Sequence, residues 1–308
     1  MIPVGNGKLP KLLVIGARGF LGNFVAGQAL GAYDVYRGDR TQDDADTDVV
    51  IDIADRTSVN RAFAIVRPDA VILLAAISDI DRCQRDPDLA LAVNLHGAEN
   101  VANACGRVDA KLLFTSTGAV FDGRKHGYTE EDAVSPVSMY GETKVMAEEV
   151  IQALLPPAII ARVSLVLGRT SRPGTNSLLN KMMCRWQAGE IVYASDVESR
   201  NPIDAVTLSQ WMLELLADDR NRGIYHAGAT DSMTRYEIAQ AVASDLDVPP
   251  ELVQPELRSP TGRAPRGIDH FLLTTKISQV CTTPVPTCRQ VIKRSLHEVA
   301  QSSLRTGV

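Results

Sequence analysis

The sequence predicts a doubly wound α/β fold, in which a parallel β-sheet carries helices on both faces and a smaller C-terminal lobe supplies a substrate site. Three observations support this prediction. Apolar runs of β-strand character alternate with runs of helical periodicity through the first half of the chain. A glycine-rich turn joins the first such strand to the first helix. After residue 167 the alternation gives way to irregular sequence that holds most of the remaining prolines.

Seven strands are predicted, each a short β-rich run bounded by turn residues. They cover residues 11–15, 34–37, 49–53, 70–76, 111–116, 158–167 and 223–227. Helical periodicity between them predicts helices over 20–30, 57–66, 87–105 and 138–155. Because strands and helices alternate, the sheet is expected to be parallel and covered on both faces.

The turn after the first strand is the most informative stretch of the chain. Gly16, Gly19 and Gly22 indicate a tight turn, a close approach of the backbone by a ligand, and a helix that packs closely on its strand. The first N–H groups of that helix and its dipole form an anion site, most often filled by the pyrophosphate of a dinucleotide. The residues expected to bind it are Gly16, Arg18, Gly19, Phe20, Leu21 and Gly22.

The loss of strand–helix alternation in the later part of the chain predicts two units. Residues 1–168 form an NADP-binding Rossmann domain, to which 201–228 return, and residues 169–200 and 229–308 form a substrate-binding lobe. Ligands of open α/β sheets bind at the carboxyl ends of the strands, where these insertions lie.

The choice between NADP and NAD depends on the end of the second strand. Counting about twenty positions from Gly16 reaches Arg37, and a guanidinium there favours the 2′-phosphate of NADP. Arg18 is expected to close the other side of the phosphate, with Arg40 as a further candidate. Asp39 is the alternative, because a carboxylate there would hold a ribose if the strand ended later.

Two further motifs carry candidate chemistry. Asp52 and Ile53 end the third predicted strand, where they either bind adenine or simply lead into the next helix. Tyr140 and Lys144 lie one helical turn apart on one face. A nearby ammonium lowers the pKa of a phenol toward the working range, so the pair suits general acid catalysis.

Composition excludes several classes of protein. Of 308 residues, 45% are hydrophobic and 22% are charged, which is typical of a globular protein. No apolar run is long enough to span a bilayer, and a formal net charge of -5 provides no basic field for nucleic acid or an anionic membrane. The five cysteines are scattered, and residues 1–10 contain no signal-peptide core. We therefore expect no metal site, reduced thiols and a cytoplasmic location, with a homodimer left open.

A hydroxyl-rich strand end makes the pattern specific. Residues 116–123 read S-T-G-A-V-F-D-G and precede Y-G-E-T-K at 140–144. These motifs resemble the extended short-chain dehydrogenase/reductases, and most of all the dTDP-4-dehydrorhamnose reductases, over residues 11 to 297. Further matches are D-I-A-D at 52–55, V-N at 93–94, R-V-S-L-V-L-G at 162–168 and G-I-Y-H at 223–226.

The resemblance implies roles for individual residues. Thr117 would bind the reacting oxygen, Tyr140 would donate a proton, and Lys144 would activate Tyr140 and hold the nicotinamide ribose. Leu74, Ala75 and Ala76 join the cofactor site, and Ser78, Thr117 and Arg200 the substrate site. The implied reaction transfers the pro-S hydride of NADPH to the C4 ketone of a nucleotide-diphosphate 4-keto-6-deoxysugar.

Two other functions stay open at this point. One is an NAD-dependent sugar-nucleotide epimerase or dehydratase, which Arg37 and Gly118 disfavour because dehydratases carry an acidic residue after the catalytic threonine. The other is a non-catalytic NADP-binding subunit like the regulatory β subunit of methionine adenosyltransferase. The family's Asp-Tyr pair is Gly118–Ala119 in this chain, so we expect a larger or differently substituted ketone.

Overall fold

The computed structural model describes residues 8–41, 47–172, 175–256 and 262–300. The outer ends of the two predicted units, 1–7 and 301–308, lie outside the described residues. The strands are β1 Lys11–Ile15, β2 Asp34–Asp39, β3 Val49–Val50, β4 Ala70–Leu73, β5 Lys111–Thr117, β6 Ile159–Val163, β7 Leu165–Leu167, β8 Arg169–Thr170, β9 Val192–Ala194, β10 Ser199–Arg200, β11 Pro202–Asp204, β12 Gly223–Ala227, β13 Met233–Thr234, β14 Val253–Pro255, β15 Asp269–His270 and β16 Val299–Ala300.

Helices lie between and around these strands. They are α1 Phe20–Gln28, α2 Arg56–Val66, α3 Ile80–Arg85, α4 Pro87–Ala90, α5 Gly97–Val108, α6 Met139–Leu154, α7 Leu178–Gln187, α8 Ala205–Ala217, α9 Arg235–Asp245, α10 Thr275–Val280 and α11 Cys288–His297. A π-helical turn, Leu91–His96, joins α4 to α5.

The main sheet confirms the predicted fold class. Within the described residues its seven strands run in the order β12-β6-β5-β4-β1-β2-β3, and every neighbouring pair is parallel. The chain proceeds from β1 outward to β2 and β3, then crosses back to β4 on the other side of β1. This reversal between β1 and β4 is the switch point at which doubly wound folds bind ligands.

Two apolar layers cover the sheet, one on each face. Successive residues of β1 alternate between them: Leu12 and Val14 belong to the layer under α1 and α8, and Leu13 and Ile15 to the layer under α2, α5 and α6. All four side chains are buried. A strand buried on both faces is apolar throughout, which explains the unbroken apolar run of β1.

Several boundaries differ from the sequence prediction. The expected strand 49–53 forms a ladder only at Val49–Val50, and 70–76 ends at Leu73. The expected strand 158–167 divides into β6 and β7, and β7 leaves the main sheet to pair with β11. The expected helix 87–105 is interrupted by the π-helical turn.

Helices α7, α8, α9, α10 and α11 were not predicted. Two of them begin with a capping box, in which Thr234 and Glu237, or Thr287 and Gln290, bond reciprocally to the backbone. This S/T-x-x-E/Q pattern is readable in the sequence and would have located α9 and α11. The division into a cofactor domain and a substrate lobe stays a prediction. No helix in the described part of the chain is long and apolar enough to cross a membrane.

Candidate active site

A large cleft opens at the carboxyl ends of β1, β2, β4 and β5. Its volume is about 1450 Å³, and it extends from the glycine turn to arginines contributed by the later segments of the chain. It contains almost all of the predicted cofactor and substrate residues, with the exceptions given below. The cleft therefore brings together motifs that are separated by more than a hundred residues of sequence.

The glycine turn fits the phosphates of a dinucleotide. Gly16 has a φ of 88°, and a Cβ atom there would lie 2.8 Å from the backbone nitrogen of Ala75. At Gly22 a Cβ atom would lie 2.2 Å from the carbonyl oxygen of Gly16. Among the described residues no side chain caps the N-terminus of α1, whereas Asp or Ser side chains cap α2, α3, α4 and α6. The N–H groups of α1 are thus left to an anion in the cleft.

The end of β2 corrects one cofactor residue. β2 continues to Asp39, so Arg37 lies inside the strand and does not line the cleft. Arg18, Asp39 and Arg40 do line it. The Asp39 carboxylate accepts the backbone N–H groups of Arg18 at 3.1 Å and of Arg40 at 2.8 Å. The count of about twenty positions from Gly16 ended at Arg37, inside the strand, because β2 is two residues longer than the predicted strand 34–37.

Apart from Lys144, the other predicted cofactor residues line the cleft. Asp52 and Ile53 are among them, and the Asp52 carboxylate accepts the backbone N–H of Ala54 at 3.0 Å. Asp52 thus has a structural role at this turn, and its contact with adenine stays a prediction. Also in the cleft wall are Phe20, Leu21, Leu74, Ala75, Ala76 and Ser78.

Thr117 and Tyr140 meet in the middle of the cleft. Thr117 ends β5, where its hydroxyl accepts the backbone N–H of Ala119 at 3.1 Å. Tyr140 is in the first turn of α6, which begins where the Ser138 hydroxyl caps the backbone N–H of Gly141. Burial raises the pKa of Tyr140 to about 12, and its hydrogen bond with Thr117 partly opposes this rise. A phenol with this pKa holds its proton at neutral pH.

Lys144 lies beneath the cleft rather than in its wall. Its side chain is 2% exposed, its Nζ donates to the carbonyl oxygen of Thr115 at 2.7 Å, and Nζ lies 3.9 Å from the centre of the Phe114 ring. Burial lowers the pKa of Lys144 to about 7. The sequence suggested a Tyr140 pKa lowered by Lys144. The structure shows the opposite direction, because burial dominates at both groups.

Asn94 belongs to the V-N match at 93–94, but the sequence analysis gave it no role in the site. It lies in the π-helical turn and is buried, with a hydrogen bond to Thr143 of α6. Its Oδ1 accepts the Ile77 N–H at 2.8 Å, and its Nδ2 donates to the Ile77 carbonyl at 3.1 Å and to the Thr143 hydroxyl at 3.2 Å. π-helical turns often occur at functional sites. The available signal was an amide within an otherwise apolar helical stretch.

Arg200 lines the far end of the cleft, but most of the N–H donors of its guanidinium are bonded to other groups of the protein. Its guanidinium donates to the carbonyl oxygens of Ser199, Gly267 and Ile268 at 2.6, 3.1 and 3.0 Å. Its Nη2 is also 3.4 Å from Glu198. Arg200 therefore fastens β10 to the loop that precedes β15.

Three other arginines at this end were missed, namely Arg235, Arg263 and Arg266. Arg263 pairs with Glu198 at 2.7 Å and with Glu256 at 2.9 Å. Within the described residues the Arg235 guanidinium forms no hydrogen bond, and burial lowers its pKa. Together with Arg200 they form what we call the arginine cluster. Their separation along the chain, from 200 to 266, left no local motif to detect.

Among the described residues no group of three or more His, Cys, Asp or Glu side chains could hold a metal ion. Cys83, the cysteine nearest the site, is buried, and its thiol donates to the Ile77 carbonyl at 3.3 Å. Burial raises the pKa of this thiol. Its environment is that of a packed structural cysteine rather than a metal ligand.

The parallel seven-stranded sheet and the glycine turn that follows β1 are those of an extended short-chain dehydrogenase/reductase fold. The chain belongs to the family described as RmlD substrate binding domain, which matches residues 10–301. It is 31% identical to a dTDP-4-dehydrorhamnose reductase of Mycolicibacterium smegmatis over 94% of this chain and 86% of that one.

Two other similarities extend over most of the chain. The β subunit of methionine adenosyltransferase 2 from Xenopus laevis is 27% identical over 75% of this chain and 70% of that one. The crystal structure of the dTDP-4-dehydrorhamnose reductase from Bacillus anthracis, in complex with NADP, superposes with a TM-score of 0.84. At 24% identity it covers 95% of this chain and 99% of that one.

Proposed function

We propose that this protein is an NADPH-dependent reductase of a nucleotide-diphosphate 4-keto-6-deoxysugar. The observation that carries the proposal is the position of the Thr117–Tyr140 pair, between a turn that fits dinucleotide phosphates and the arginine cluster. A ketone bound between the two ends would lie against a hydroxyl pair. The similarity to dTDP-4-dehydrorhamnose reductases supports the same reaction.

The two hydroxyls have different tasks in this reaction. Bound NADPH would supply the hydride for the ketone carbon and leave as NADP⁺. Thr117 donates a hydrogen bond to the ketone oxygen, and Tyr140 transfers its proton to that oxygen as negative charge develops there. The raised pKa of Tyr140 keeps the phenol protonated, as a donor requires. Solvent then returns a proton to Tyr140.

Lys144 and Asn94 support this pair from behind. The Lys144 ammonium is held at the Thr115 carbonyl, within the same strand end that carries Thr117. Asn94 fixes the peptide of Ile77 at the edge of the cleft and the Thr143 hydroxyl on the catalytic helix. Both contacts hold the reacting groups in one geometry, which is how positioned groups lower a barrier.

The arginine cluster would bind the sugar diphosphate. Arg235 points to an anion, because its half-buried guanidinium lines the cleft without a hydrogen bond in the described part of the chain. Arg263 and Arg266 add further N–H donors at the same end. Guanidinium groups suit planar, bidentate contacts to phosphate oxygens.

Arg18 and Arg40 favour NADPH over NADH. Both line the cleft at the end of β2, where the 2′-phosphate of NADP would lie. Asp39 is directed to the backbone N–H groups of these two residues, which reduces its capacity to accept from a ribose. The NADP in the Bacillus anthracis reductase supports this assignment.

A regulatory role is the second candidate. It rests on the sequence similarity to the methionine adenosyltransferase β subunit, which extends over 75% of this chain. An absorbance assay of NADPH oxidation with a panel of dTDP- and UDP-linked 4-keto-6-deoxysugars separates the two. We expect turnover with at least one sugar. Tight NADPH binding without turnover on any of them would favour the regulatory role.

A further inference from the structure

An irregular loop crosses the cleft at its substrate end. Residues 262–268 form no helix or strand, yet Arg263, Pro265, Arg266 and Gly267 line the cleft. On one side Arg200 binds the carbonyl groups at positions 267 and 268. On the other side the loop reaches α3, which follows β4 of the main sheet. We call residues 262–268 the bridging loop.

One carboxylate makes the contact with α3. Asp81, in the first turn of that helix, accepts the Ala264 N–H at 2.8 Å through Oδ1. Arg266 donates to Oδ1 at 3.1 Å from Nη1 and to Oδ2 at 2.9 Å from Nη2. The Arg266 guanidinium holds the Asp81 pKa below its usual value. Bidentate, charge-assisted bonds of this kind are strong and fix orientation.

We propose that Asp81 is a positioning residue that fastens the bridging loop across the cleft and orients Arg266 toward an anionic ligand of the nucleoside diphosphate class. The choice of ligand rests on the proposed function. The fastening itself rests only on these contacts. Asp81 does not cap α3, because Asp79 does so through the N–H of Arg82. Replacement of Asp81 should therefore release the loop without disrupting the helix.

The Arg266 guanidinium keeps N–H donors for a ligand while it is bonded to Asp81. A guanidinium has five N–H donors. Asp81 takes two of them, and the Ala264 carbonyl takes a third at 2.8 Å. Two donors remain for a phosphate. A carboxylate that only competed with the ligand would make the opposite prediction, since its removal would strengthen anion binding.

Hydrogen exchange tests the fastening without any ligand. In Asp81→Asn, the amide of Ala264 should exchange about tenfold faster than in wild type, measured by mass spectrometry on peptides spanning 262–268. Arg266→Lys, which cannot form the bidentate contact with Asp81, should also make the Ala264 amide exchange faster than in wild type. The matched control is Asp218→Asn, which breaks the exposed bidentate pair of Asp218 with Arg220 away from the cleft. Unchanged exchange in both loop variants would overturn the inference.

Calorimetric titration with thymidine diphosphate tests the positioning. In Asp81→Asn its Kd should rise about tenfold, while the Kd of NADPH stays within about twofold of wild type. Asp81→Glu should recover part of the affinity, since it keeps the charge. Unchanged or tighter binding of thymidine diphosphate in Asp81→Asn would refute the positioning role. Failure of wild type to bind either thymidine diphosphate or uridine diphosphate in the same titration would refute the ligand class and the proposed function together, and the exchange result would still decide the fastening.

Discussion

The two ends of the cleft are built in different ways. The glycine turn is a continuous stretch, 16–22, in which backbone atoms approach each other so closely that two of the glycines admit no Cβ atom. The arginine cluster is assembled from residues 200, 235, 263 and 266, and three of these, Arg200, Arg263 and Arg266, form ion pairs with Glu198, Glu256 or Asp81. Backbone shape thus forms one end of the site, and side-chain charge forms the other.

This difference predicts two responses to mutation. The glycine turn binds through the shape of its backbone, so one added carbon atom should weaken NADPH binding by a large factor. In the arginine cluster several guanidinium groups contribute to binding of the same substrate, so the loss of one should weaken substrate binding by a limited factor. Tyr140, where the two ends meet, should affect chemistry and leave both binding steps intact.

The largest effect is expected for Tyr140→Phe, which removes only the phenolic hydroxyl. The value of kcat should fall by about 10²–10⁴-fold, because the proton donor is lost. Affinities for NADPH and thymidine diphosphate should stay near those of wild type. Tyr193→Phe is the control, since Tyr193 is exposed and lies outside the cleft. Equal turnover by Tyr140→Phe and wild type would remove Tyr140 from the mechanism.

A loss of NADPH affinity of about a hundredfold is expected for Gly22→Ala. The added Cβ would lie 2.2 Å from the Gly16 carbonyl oxygen, so α1 must move away from the turn. Gly27→Ala is a matched control in the same helix, because nothing lies within 4 Å of its added Cβ. That control should bind NADPH normally and gain about 0.5–1 kcal/mol of stability. Equal affinities in both variants would show that the turn does not hold the cofactor.

Arg235→Ala should raise the KM of the sugar nucleotide about tenfold and leave NADPH affinity unchanged. The remaining arginines of the cluster limit the loss. Arg289→Ala removes a guanidinium whose exposed pair with Asp245 lies outside the cleft, and it should behave as wild type. A complete loss of substrate binding in Arg235→Ala would mean that the other arginines of the cluster do not contribute to binding.

The smallest effect concerns the choice of cofactor. Wild type should bind NADPH at least about tenfold tighter than NADH, equivalent to about 1.4 kcal/mol. Arg40→Ala should reduce this preference, whereas Arg37→Ala should preserve it, because Arg37 does not line the cleft. Calorimetric titration of both cofactors decides the matter. A wild-type preference for NADH would mean that Asp39 governs the ribose.

The same contrast explains what the sequence could predict. The glycine turn and the Tyr140–Lys144 spacing are local patterns with fixed geometry, and the structure places the turn and Tyr140 in one cleft, with Lys144 buried beneath it. The position of Arg37 was wrong because strand length cannot be read to within two residues. Arg235 and Arg266 were missed because their proximity depends on the tertiary fold. The sequence suggested a lowered pKa for Tyr140, whereas burial raises it, and burial is a property of the folded chain.

Isotope transfer tests the central claim most directly, that the two ends of the cleft bring a hydride donor and a sugar ketone to Tyr140. Wild-type protein is incubated with (4S)-deuterated NADPH and the panel of nucleotide-linked 4-keto-6-deoxysugars, and the products are analysed by mass spectrometry. The account predicts one deuterium at C4 of a reduced sugar, and an initial rate of deuterium incorporation about 10²–10⁴-fold lower with Tyr140→Phe under the same conditions. Tight binding of NADPH with no deuterium in any sugar would contradict it.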